Sequence, residues 1–152
     1  MSLTAPSAET LLFSTEITVQ VGDLNYGNHL ANDAVLRLAH EVRLRWLARG
    51  GYNELDAGGS GLIMTEAAVR YQAQAFYGDR LDCTLAAGDI GKAGFSLIYA
   101  FTRQSDQKTI ARVHSKMVCF DYARQRPVRL SEKLKDYLQT PHSETFSIKE
   151  ST

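Results

Sequence analysis

The chain has only two cysteines, Cys83 and Cys119, three prolines and one tryptophan, and neither sign of charge predominates. Each shortage narrows the reading. The cysteines lie inside alternating apolar runs rather than in a CxxC or Cys/His spacing, which argues against structural zinc and for two buried free thiols in a reducing compartment. Lys and Arg number 17, as do Asp and Glu. No basic stripe interleaved with aromatics stands out, so nucleic acid is not an expected partner. No stretch approaches the roughly 20 apolar residues that a spanning helix needs, and Met1 to Glu9 lacks a basic segment leading into an apolar run. The expectation is a cytoplasmic protein without membrane association. There is no internal repeat or low-complexity tract, and 152 residues suit one domain with a full core.

Residues 1–12 are expected to form a flexible N-terminus, 13–139 a single folded domain and 140–152 a polar tail. From Phe13 to Val21, apolar Phe13, Ile17, Val19 and Val21 share one parity, the pattern of a half-buried strand. After a turn at Tyr26-Gly27-Asn28, Leu30, Ala34, Leu38, Val42 and Trp46 recur every four residues, while Arg37, Glu41, Arg45 and Arg49 share the opposite side. That spacing predicts a helix of about five turns, capped by Asn28 or Asn32 and closed by Gly50-Gly51. Tyr52 to Gly61 reads as a Gly-rich connector. Four long strand runs follow: Leu62 to Ala75, Asp79 to Ile90, Phe95 to Thr102 and Thr109 to Tyr122. The short turns between them predict that consecutive strands pair as an antiparallel meander. Phe95, Leu97, Tyr99 and Phe101, with Ala111, Val113, Met117 and Cys119, mark one apolar sheet face. Ser131 to Gln139 reads as a short terminal helix capped by Ser131.

The stretch Val21 to Asp33 packs polar, turn-forming residues between the first strand and the long helix. Such a junction directs free backbone N–H groups and the positive end of the helix dipole at whatever lies in front, which suits a carbonyl oxygen that gains negative charge. His29 either exchanges a proton or contacts substrate there, or braces the turn. Asn25 either orients water or substrate, or bonds the backbone two residues on. Glu66 breaks the apolar run Leu62 to Val69, and a carboxylate there needs a partner such as Arg70, or a functional reason.

The pattern Asp23-x-Asn25-x-Gly27-x-His29-x-x-Asn32 resembles the Asp-x-Asp…His-x-Asn-Asn junction of hotdog-fold acyl-CoA and acyl-carrier-protein thioesterases, the 4-hydroxybenzoyl-CoA thioesterase-like group. Tyr71 to Leu81, with its Tyr77-Gly78-Asp79 turn, resembles the strand and Gly-Asp turn of that family. Val118 to Asp121 followed by Arg126-Pro127-Val128 resembles its last strand and exit. The resemblance implies an α+β hotdog fold: a curved antiparallel five-stranded sheet wrapped around a long central helix, with a short C-terminal helix. It implies hydrolysis of an acyl thioester, from coenzyme A or acyl carrier protein, to free acid and thiol. No cofactor is implied, coenzyme A being part of the substrate, and the assembly is expected to be a homodimer or homotetramer.

The same resemblance puts the helix-start N–H of Asn32 on the thioester carbonyl and places Asn25 where the family has its catalytic carboxylate. An amide takes no proton from water at neutral pH. A later Glu of the plant branch falls near Gln74, another amide. A replacement base is then sought in Asp23, Asp33 or Glu66, with Asp33 otherwise serving the helix dipole. Arg43, Arg45, Arg70, Lys92 and Arg112 are candidates for the coenzyme A phosphates. The amide at Asn25 also admits a non-catalytic acyl-thioester binding protein, and His29 admits a dehydratase if a carboxylate stands beside it.

Overall fold

In the computed structural model, which describes residues 9–142, eight elements follow one another. They are β1 (Thr10–Thr18), α1 (Asn32–Arg49), β2 (Gly61–Tyr71), β3 (Arg80–Ile90), β4 (Gly94–Arg103), β5 (Thr109–Asp121), a two-residue β6 (Arg126–Pro127) and α2 (Glu132–Tyr137). A single 3-10 turn, Val21–Asp23, separates β1 from the junction. The expectations for residues 1–8 and 143–152 lie outside the described residues.

β1 starts earlier than the alternation suggests. Residues 10–12, assigned by sequence to the flexible N-terminus, are strand, and the register slips by one between Leu11 and Phe13. That bulge lets adjacent Leu12 and Phe13 both be buried, which strict alternation forbids. At the other end Val21 leaves the strand for the 3-10 turn and is exposed.

The sheet runs β1-β3-β4-β5-β2, every neighbour antiparallel, with β6 added beside β5. β3, β4 and β5 form the expected meander, but β2 does not pair with β3. It pairs instead with β5 at the far edge, so the expected run of four consecutive neighbours is corrected. The reason lies in Gln72–Asp79, which crosses the end of the sheet and has its backbone satisfied there. Leu30 N–H donates to Ala75 O (2.8 Å) and Val19 N–H to Asp79 O (2.9 Å). Arg103, on β4, donates to Gln74 O (2.8 Å) and to the Asp79 carboxylate (3.0 Å). A short turn at Gly78 does exist, but it closes a crossover rather than a hairpin.

One sheet face carries the core. Phe95, Leu97, Tyr99 and Phe101 of β4 and Ala111, Val113, Met117 and Cys119 of β5 are all buried, as their parity predicts. Against that face lies α1, which touches β1, β2, β3 and β5. It buries Ala34, Val35, Leu38, Ala39, Val42, Trp46 and Leu47, and also Arg43. Each large apolar side chain so buried contributes about 1.5–3 kcal/mol. Cys83 and Cys119 are free and buried, and burial pushes the Cys83 thiol up to about 12.

Neither proposed asparagine caps α1. The N-cap is Ala31, with no side-chain bond, and Asn28 instead adopts the left-handed φ of 64° within the turn. At the other end Gly51 supplies the left-handed residue (φ 78°). Gly50 supplies space: a Cβ there would lie 2.6 Å from the Tyr137 ring. Tyr137, on α2, stacks on Trp46 at 5.1 Å and donates to the Trp46 carbonyl. α2 begins at Ser131 as expected, its Oγ accepting from Leu134 N–H at 3.2 Å.

Candidate active site

Chain entering from β1 must turn sharply to start α1, and Asn25 organises that turn. Its Oδ1 accepts from Gly27 N–H (2.9 Å) and His29 N–H (3.4 Å), while the backbone closes through Asn25 N–H to His29 O (3.0 Å). With Oδ1 committed to two donors, the carboxamide nitrogen is the group that faces His29 Nδ1, at 3.3 Å. His29 Nδ1 is therefore an acceptor, and in the neutral ring the proton resides on Nε2. Gly27 makes room for this arrangement, since a Cβ there would stand 3.0 Å from His29 Nε2. His29 also bridges to Phe76 of the crossover, which ties the junction to the sheet end.

His29 and Asn32 meet on one cavity of about 280 Å³, with Val35, Tyr71, Gln74 and Ala111 among its other walls. Asn32 is the first residue of α1. Neither its N–H nor that of Asp33 has an acceptor among the described residues, as expected for the orphan donors of a helix start. The Tyr71 hydroxyl donates to Asn32 O (3.0 Å) and pins the helix start to the end of β2. Gln74 belongs to the site, held in place through its own carbonyl by Arg103. Larger hollows of about 430 and 390 Å³ lie beside the Gly-rich loop and on the other sheet face, and neither is lined by His29 or by the start of α1.

The carboxylates are elsewhere. Asp23 accepts from Gln20 N–H at 2.9 Å and closes the 3-10 turn. Asp33 is exposed and pairs with Arg37 one turn on, at 3.1 Å. Glu66 does not interrupt a buried run. A register shift between Met64 and Glu66 reverses the parity of β2, and Glu66 stands exposed opposite Lys116, on the face away from α1. No ion pair with Arg70 forms among the described residues. No carboxylate lines the cavity that His29 and Asn32 share, so the setting a dehydratase reading needs is missing there.

Of the cations put forward for coenzyme A, Arg43 points inward and Arg45 is engaged with Glu41 and Thr15. Arg112 pairs with Glu9 at 3.6 Å, and Arg70 and Lys92 are exposed. Arg43 is the centre of a polar cluster that the sequence reading missed. Its Nε donates to Glu54 Oε2 (2.8 Å) and its Nη1 to Tyr99 Oη (3.0 Å); Tyr99 Oη in turn lies 3.2 Å from Ser115 Oγ. Glu54 Oε1 meets His40 Nε2 at 2.6 Å. Burial alone would raise the Glu54 carboxyl, but the bonds and charge of Arg43, with His40, outweigh it and hold the group below the ordinary carboxylate range. Burial likewise opposes charge on Arg43, yet Tyr99 and Glu54 raise it further. A signal was present: Arg43 lies midway between Ala39 and Leu47 on one helix stripe, where a charge demands a buried partner.

An antiparallel sheet of five main strands, one long helix on its buried face and a polar junction at the helix start define the hotdog thioesterase class. The chain belongs to the thioesterase-like superfamily, whose family model matches residues 19–138. It is similar to a 1,4-dihydroxy-2-naphthoyl-CoA thioesterase from Synechocystis, with 20% identity, 83% of this chain and 94% of that chain covered, and a TM-score of 0.76. A hypothetical protein from Staphylococcus aureus, solved in complex with CoA, is 17% identical over 91% of this chain and 90% of its own, with a TM-score of 0.76. A gentisyl-coenzyme A thioesterase is 18% identical over 80% of this chain and 98% of its own, with a TM-score of 0.71. No curated protein matches the chain in sequence.

Proposed function

We propose that this chain hydrolyses acyl thioesters, of coenzyme A or a carrier protein, at the cavity between His29 and the start of α1. The observation that carries the reading is the unspent N–H donor of Asn32, the first residue of α1, on a cavity that it shares with an imidazole fixed as an Nε2–H donor. A thioester carbonyl accepting from Asn32 N–H is polarised by that bond and by the helix dipole, and both strengthen as the oxygen gains charge under attack by water. His29 Nε2–H serves as a second donor, to the same oxygen or to the water. The adduct then collapses with loss of the thiol. Similarity to a CoA-bound protein and to two aryl-CoA thioesterases supports coenzyme A as the thiol carrier.

The base is the missing part, since no carboxylate of this chain lines the cavity among the described residues. A homodimer or homotetramer supplies it in our reading. β2 is an edge strand of 11 residues that exposes Met64 and Tyr71, and such an edge invites a second copy beside the cavity. The same lack of a carboxylate favours, as a second reading, a protein that binds acyl thioesters without cleaving them. Thiol release from a panel of short, long and aromatic acyl-CoAs separates the two: turnover of any member establishes hydrolysis, and binding without release establishes the second reading.

A further inference from the structure

A second cavity, of about 180 Å³, follows the first along the same elements. The first is walled by Asn32 and Val35 of α1 and Ala111 of β5, the second by Ala39 and Arg43 of α1 and Ser115 of β5. On β2 the order reverses, from Tyr71 to Met64, as antiparallel pairing with β5 requires. The two cavities thus succeed one another along α1, β2 and β5, without a lining residue in common. From Asn32 to Ala39 the helix advances about 10 Å, and from Ala111 to Ser115 the strand advances about 13 Å.

The floor of the second cavity holds a buried polar pair. Tyr99 is fully buried and Ser115 is 1% exposed. Between them the two residues own two hydroxyl protons. Arg43 Nη1 donates to the Tyr99 oxygen, the Tyr99–Ser115 bond uses one proton, and the other has no acceptor among the described residues. A guanidinium cannot accept it, and buried hydroxyl donors are rarely left without a partner. The wall on the way, Val35, Ala39, Val113 and Met64, is largely apolar.

We propose that the unspent hydroxyl proton of the Tyr99–Ser115 pair binds an oxygen on the acyl group, remote from the thioester, so that the protein selects oxygenated acyl groups over plain hydrocarbon ones. The position of the carbonyl rests on the hydrolase reading given above. An extended chain advances about 3.5 Å per three bonds, so an oxygen roughly nine to eleven bonds from the carbonyl carbon reaches the pair. A 10-hydroxydecanoyl group meets that span. Arg43, anchored by Glu54, acts as a positioning residue that fixes which way the hydroxyl pair points.

The test uses non-hydrolysable ketone analogues of decanoyl-CoA and 10-hydroxydecanoyl-CoA, titrated calorimetrically against the full chain. The wild type is expected to bind the hydroxylated analogue at least about fivefold more tightly, the effect of one buried hydrogen bond. Tyr99→Phe/Ser115→Ala, which removes both hydroxyls, is expected to bring that ratio close to one, and Ser115→Thr, which keeps both, to retain it. Equal binding by the wild type, preference for the plain chain, or binding of neither analogue overturns the proposal whether or not the variants fold. So does a ratio that survives in a folded Tyr99→Phe/Ser115→Ala protein. Thiol release from the corresponding thioesters is read separately. Preference without release from these or from any thioester of the panel removes the hydrolase reading and keeps the subsite, whereas release without preference does the reverse.

Discussion

The Asn25 carboxamide nitrogen lies 3.3 Å from His29 Nδ1, and because Asn25 Oδ1 already serves two backbone donors, the contact fixes the histidine as an Nε2–H donor. A carboxylate at position 25 would invert that assignment. Asn25→Asp keeps the acceptor for Gly27 N–H but pairs with an N–H on Nδ1, leaving Nε2 free to take a proton from water. The expected outcome is a rise in kcat for acyl-CoA hydrolysis of about tenfold or more, general-base catalysis being worth about 10²–10⁴. Steady-state thiol release on both proteins checks it, and an unchanged or lower rate with an intact fold would contradict the tautomer argument.

Glu54 joins the Gly-rich loop to α1, so Glu54→Gln should leave the buried Arg43 guanidinium without its counter-charge. The expected cost is about 1–3 kcal/mol, less than for a fully buried pair because the Glu54 side chain keeps 25% of its exposure. The pH dependence has a definite sign. The folded carboxyl is held below its ordinary range, so its contribution is present above the unfolded value and is lost as pH falls through the depressed folded value. Urea unfolding of wild type and variant at neutral pH and down to about pH 3 should show the gap closing on acidification.

Gly50→Ala pushes a methyl group to within 2.6 Å of the Tyr137 ring. Since Tyr137 stacks on Trp46 and bonds its carbonyl, α2 must shift from the end of α1. A loss of about 1–3 kcal/mol is expected, as for other overpacked sites. It should be accompanied by a change in the fluorescence of Trp46, the sole tryptophan.

Arg103 holds the crossover through Gln74 O and the Asp79 carboxylate. Arg103→Ala should therefore loosen Gln72–Asp79 before it unfolds the sheet. Native-state hydrogen exchange is expected to show faster exchange at Leu30 and Phe76, whose amides bond Ala75 O and Asp79 Oδ2, with little change in β4 and β5.

Strand parity and the four-residue helical repeat made the elements and the buried sheet face legible, because burial on one side writes a period of two or about four into the chain. Pairing order was not legible. Nothing local to Gln72–Asp79 reveals that its carbonyls are taken by Leu30, Val19 and Arg103, so β2 was placed beside β3. The junction was recognisable from Asp23 to Asn32, yet its internal division of labour was not: Asp23 and Asn25 spend their oxygens on local backbone, which only coordinates reveal. Glu66 misled because a one-residue shift in β2 reverses which face each later residue takes. The Arg43 cluster stayed hidden because its members come from α1, the loop, β4 and β5, and only Arg43 departs visibly from an apolar stripe.

The central claim is that a backbone N–H at the start of α1, rather than the side chain of Asn32, polarises the thioester. Ala31 already has φ −72° and ψ 147°, the extended geometry that a following proline requires, and the first helical position tolerates proline. Asn32→Pro should thus remove the donor while sparing the helix, and Asn32→Ala should keep the donor and remove only the side chain. The decisive measurement is kcat for acyl-CoA hydrolysis by wild type, Asn32→Ala and Asn32→Pro, with melting temperatures alongside. The account predicts that Asn32→Ala stays within a few-fold of wild type, while Asn32→Pro falls by about 10²–10³ at little change in stability. Equal rates for the two variants, or a folded wild type that releases no thiol from any acyl-CoA, would contradict it.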